Sequence, residues 1–141
     1  MAESIKVSRD DTCAVRHLKI YKYPAWAAKA ETIKGKTAYF SSPKSMFEFY
    51  FQPDRWKEFG AATPDDITSL TVTDFKTLEA INARSAYYVY GSTETSPAGD
   101  DLPSFASLED AKKFAEKYKG KRILRFSEIK NSLIRLINGR I

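Results

Sequence analysis

Apolar and polar positions change period several times along the chain, and each change marks an element. Residues 1–12 mix charge with small polar groups and hold no period, so they are expected to form a mobile leader. The apolar segment from Pro24 to Ile33, the turn Lys34-Gly35-Lys36 and Thr37-Ala38-Tyr39-Phe40 read as a hairpin. Ser42 stands where a helix N-cap is wanted and Pro43 at the first helical position. Met46, Phe47, Phe49, Tyr50 and Phe51 then give a broad apolar face that stops before Pro53. Residues 56–66, with Gly60 and Pro64, read as an irregular cover. Strand character returns over 67–78 and in Ala86-Tyr87-Tyr88-Val89-Tyr90, which Gly91 ends. After a long loop over 92–102, Ser107 caps a helix running to Tyr118, with Leu108, Ala111, Phe114 and Ala115 at helical spacing and Gly120 beyond its end. Arg122 to Phe126 reads as a strand. Ser127 is expected to open a last helix with Ile129, Leu133, Leu136 and Ile137 on one stripe.

An internal echo bears on the architecture. Residues 40–49 align without gaps on residues 105–114: in each copy a Phe precedes the capping Ser by two positions and another Phe follows it by seven. This predicts two related units, each pairing strands with a helix, over 13–62 and 63–141, the second carrying the C-terminal helix.

Composition then narrows the chemistry. A chain of 141 residues with 43% hydrophobic and 29% charged positions can bury a core. No stretch approaches the roughly 20 apolar residues of a membrane helix, and Met1-Ala2-Glu3 runs into charge, so no export signal is expected within these residues. One cysteine rules out an internal disulfide or a multi-cysteine zinc site, and one histidine rules out H-E-x-x-H. No G-x-S-x-G elbow, G-x-G-x-x-G or P-loop occurs, and the adjacent acids Asp65-Asp66 and Asp100-Asp101 read as turn formers, so no enzyme activity is expected. Net charge is +5 and unevenly spread. Residues 112–141 carry 10 Lys or Arg against 2 acids, while the first 111 residues are net −3. With no RNP1-like pattern among the strand aromatics, this polarity reads as docking electrostatics rather than nucleic-acid binding.

Cys13 and His17, four residues apart, are the neighbouring candidates for a soft or borderline metal site. Thiolate and imidazole suit Cu(I) or Zn(II), and the thioether of Met46 would favour Cu(I). Arg16 beside them would stabilise the thiolate. A lone cysteine is also commonly an inert small hydrophobe, and both readings stay open on these residues.

As a whole the chain resembles the NosL family, copper-binding accessory lipoproteins of nitrous oxide reductase maturation. The residues carrying the likeness are Cys13-Ala14-Val15, Lys22-Tyr23-Pro24-Ala25-Trp26, 40–51, Val72-Thr73-Asp74-Phe75, 81–92, Pro97, Gly99, Leu102, Phe105 and 120–129. The resemblance implies an α+β fold of two small strand-strand-helix units, similar to a module of organomercurial lyase. It also implies Cu(I) as cargo and a periplasmic location, with membrane association through a lipid anchor outside these residues. The partners implied are nitrous oxide reductase and its associated ABC-type transporter. The family's C-P-V-C-G-M pattern stands here as Cys13-Ala14-Val15-Arg16-His17-Leu18, and its G-P-M-G-H loop as Ser96-Pro97-Ala98-Gly99-Asp100. Most of the sulfur is gone.

Two readings follow. In one, copper is held weakly, or with a partner's help, by Cys13, His17 and Met46. In the other, a metal-free module docks on the maturation machinery through Ser96, Pro97, Asp100, Asp101, Arg135 and Arg140.

Overall fold

A computed structural model describes residues 3–139, and the docking residue Arg140 lies outside them. The hairpin forms as the pattern requires. Strands β1 (Ala28–Thr32) and β2 (Thr37–Phe40) pair antiparallel, Ala28 opposite Phe40 and Ala30 opposite Ala38, and Gly35 takes the left-handed φ of +72° that the turn needs. Helix α1 (Pro43–Phe51) follows, its Ser42 cap accepting from the Ser45 amide. Three 3-10 turns over 53–66 cover the core, and strand β3 (Ile67–Thr73) then returns to pair with the other edge of β1. A short strand β4 (Ala80–Asn82) completes a sheet of order β2-β1-β3-β4.

The second sheet repeats this plan. Strand β5 (Tyr87–Tyr90) is central. After the small hairpin β6 (Thr95–Ser96) and β7 (Gly99–Asp100), strand β8 (Ser104–Phe105) pairs with one edge of β5. Helix α2 (Leu108–Lys117) crosses the sheet, and strand β9 (Arg122–Arg125) takes the other edge, giving the order β8-β5-β9. Each unit is therefore strand, strand, helix, strand with the first strand in the middle. The echoed residues do the same work in both. Phe40 and Phe49 pack with ring centroids 5.4 Å apart, and Phe105 and Phe114 at 5.1 Å. A β-bridge between Asp74 and Ser104 joins the sheets. The α+β architecture is thus built from two antiparallel units, although β3 and β4 hydrogen-bond in the first sheet and the division at residue 62 cuts across it.

Two further expectations change. Residues 3–12 are seated on the first sheet: Ile5 is buried with Ile20 and Ala27, and the Ala80 amide donates to the Glu3 carbonyl at 2.7 Å. The last helix, α3 (Asn131–Ile137), begins later than Ser127, because residues 126–128 close a 3-10 turn in which the Glu128 carboxylate accepts from the Arg125 amide.

Candidate functional site

The segment around Cys13 is a tight turn. Thr12 and Lys19 bridge, the Cys13 amide donates to the Leu18 carbonyl at 2.8 Å, and the His17 amide donates to the Cys13 carbonyl at 2.7 Å. The Ala14 amide fastens the turn to the Tyr39 carbonyl on β2. Closing so short a loop forces His17 to φ +61°, the left-handed region that glycine occupies most readily. Its imidazole is exposed, whereas Cys13 is fully buried with its sulfur accepting from the Arg16 amide at 3.4 Å.

Arg16 is the hub. Its guanidinium ion-pairs with Glu48 and donates to Ser45 Oγ at 2.7 Å and to Asn138 Oδ1 at 2.5 Å. Ser45 and Glu48 lie three residues apart on one face of α1, and Asn138 is the C-cap of α3. The Asn138 amide also donates to the other oxygen of Glu48 at 2.6 Å. A planar fork of fixed donors suits such a junction of three segments better than a lysine would.

The second segment meets α1 one residue earlier. The Lys44 amide donates to Asp101 Oδ1 at 2.9 Å, and its ammonium donates to the Ala98 carbonyl at 2.8 Å. Asp101 also accepts from Ser96 Oγ at 2.7 Å, from the Leu102 amide at 2.9 Å and from the Ser42 hydroxyl. Burial pushes the Asp101 carboxyl above its ordinary range against these hydrogen bonds. Burial also pulls Lys44 down. Asp101 opposes that shift and nearby Arg16 adds to it, so two cations share the first turns of α1.

The turn over 13–18 and the loop over 96–101, far apart in sequence, thus converge on Lys44 and Ser45. Of the candidate ligands, Cys13 and Met46 are fully buried and His17 is exposed. Of the candidate docking residues, Ser96 and Asp101 turn inward and hold their loop, Pro97 is half-buried, and Asp100 and Arg135 are exposed. Lys44, Ser45, Glu48 and Asn138 were not singled out by the sequence. The first three are polar interruptions in an otherwise apolar helix, which is the local sign they leave. As a donor set for Cu(I) the convergence is poor. The thiol is fully buried, the carboxylates are engaged, and no group of three His, Cys, Asp or Glu side chains gathers to hold a metal among the described residues.

The comparisons with known proteins bear on the chain as a whole. The NosL family model matches residues 4–134. The "Copper-binding lipoprotein NosL" of Stutzerimonas stutzeri is 30% identical over 132 residues, covering 94% of this chain and 68% of that protein. The crystal structure of the copper chaperone NosL from Shewanella denitrificans superposes with a TM-score of 0.79 at 25% identity, covering 94% of this chain and 98% of that one.

Proposed function

Given that this chain belongs to the NosL family, we propose that it is an accessory protein of copper delivery for nitrous oxide reductase assembly, binding and handing over rather than catalysing. It works on the periplasmic side, held near the membrane in the manner of a lipoprotein, and serves the reductase together with an ABC-type transporter. Its own hold on copper is weak and depends on ligands that a partner supplies around Cys13. The observation that carries this reading is the family match over residues 4–134; in the structure the 13–18 turn, which holds Cys13, the one thiol of the chain, converges with the 96–101 loop on α1. Glu48 and Asp101 are already engaged there, Glu48 by Arg16 and Asn138 and Asp101 by Ser96 and the Lys44 and Leu102 amides, so a copper ion would need ligands from elsewhere.

An anaerobic Cu(I) titration against a chromophoric chelator tests this. The expected result is one low-affinity site, lost on Cys13→Ala in a variant whose circular dichroism matches the parent. Equal competition by parent and variant would leave the second reading, a metal-free docking module on the same scaffold. The closed Arg16-Glu48-Asn138 network favours that alternative.

A further inference from the structure

We infer that the furrow between α1 and α3 is a carboxylate-binding cleft. Two helical stripes face each other across it. Glu48, Gln52 and Arg55 follow one another at helical spacing from α1 into the turn after it, and Asn131, Arg135 and Asn138 do so along α3. Short helices that pack together usually bury apolar stripes. Here the stripes enclose a cavity of about 270 Å3 bounded mainly by guanidinium and carboxamide groups.

Its charge is positive in effect. Among the described residues Glu48 is the sole acid of the lining, and Arg16 and the Asn138 amide each engage one of its oxygens. Arg55 and Arg135 have no carboxylate partner among the described residues. Arg55 is already oriented. Its Nη1 donates to Gln52 Oε1 at 3.2 Å, and its guanidinium lies 4.9 Å from the centre of the Trp56 ring. One such fork with a neighbouring amide donor matches a carboxylate, and the two together match a dicarboxylate or a pair of acidic side chains. The cleft floor is also the network around Arg16, because Asn138 belongs to both. The inference stands apart from copper, since none of its groups is a sulfur or imidazole ligand.

Amide-resolved NMR titration of the metal-free protein tests it, with succinate, a short aspartate-rich peptide and inorganic phosphate added at matched ionic strength. Saturable shifts confined to 48–55 and 131–138 are expected with succinate or the peptide. Affinity should fall about tenfold in Arg55→Gln and in Arg135→Gln, each exposed and so tolerated by the fold. Tighter binding of succinate would identify a free metabolite as the ligand. Tighter binding of the peptide would identify an acidic segment of a partner. Absence of saturable shifts, shifts indifferent to both variants, or phosphate bound as tightly as either carboxylate would overturn the assignment.

Discussion

His17 separates two ways of reading one side chain. As a metal ligand it would supply an imidazole. As a turn residue it supplies a left-handed backbone that any side chain beyond glycine makes costly, by about 1–2 kcal/mol. The exposed ring and the hydrogen bond from its amide to Cys13 favour the turn. His17→Gly should then stabilise the fold by about 0.5–1 kcal/mol, part of the relief being offset by the greater freedom of glycine in the unfolded chain. Urea unfolding would show it, and Cu(I) competition should be unchanged; a destabilised variant with weaker competition would restore the imidazole as a ligand. Asp101 makes a second prediction, through pH. Its carboxyl is raised in the folded state, so the native protein binds the proton more tightly than the unfolded chain does. That contribution is full at low pH and is lost as pH rises from the unfolded value near 4 through the raised folded one. Replacing Asp101 by Asn removes it. The stability advantage of the parent over Asp101→Asn should therefore shrink between pH 4 and neutrality, as measured by urea midpoints, and an advantage that grows would contradict the burial argument.

The two units offer an internal control at the scale of elements, since the same pair of rings locks each helix to its strand. Phe49 is fully buried, with Phe40, Trp56 and Phe59 around it. Phe114 keeps 8% exposure and lines an open groove with Phe75, Phe105 and Tyr118. Phe49→Ala should cost about 4–5 kcal/mol and Phe114→Ala about 3 kcal/mol, because the second site can relax toward solvent. Comparable losses in denaturant melts would mean that the groove is closed in solution. These units were legible because their signals are local: Ser42 with Pro43, Ser107, and the alternation of rings each act within a turn or two. Short strands were not. β8 has two residues and β4 three, too few to show a period, and they exist because longer neighbours present a free edge. Ser127 misled as a cap, since the Glu128 carboxylate had already claimed the backbone amide of Arg125. The site was hardest to foresee. Cys13 stands out as the lone thiol, but Arg16 and Asn138 are 122 residues apart, and no pattern along the chain announces that pairing.

Across the whole molecule, charge and site are separate. The convergence on α1 is internally neutralised, whereas the excess of cations sits outside, with Lys112, Lys113, Lys117, Lys119, Lys121 and Arg122 all exposed on and after α2. Such a face raises the rate of encounter with an acidic partner more than it raises final affinity. Arg135 lies elsewhere, in the furrow between α1 and α3, where a contact would be desolvated and would govern dissociation. The two contributions should therefore divide kinetically. With the proposed partners, the transporter or reductase components, immobilised, reversing Lys121 and Arg122 to Glu should lower the association rate several-fold and weaken its salt dependence, with dissociation little changed. Arg135→Glu should act mainly by speeding dissociation. An association rate insensitive both to ionic strength and to the double reversal would show that this basic face does not meet the machinery, and would leave the helical furrow as the contact surface to pursue.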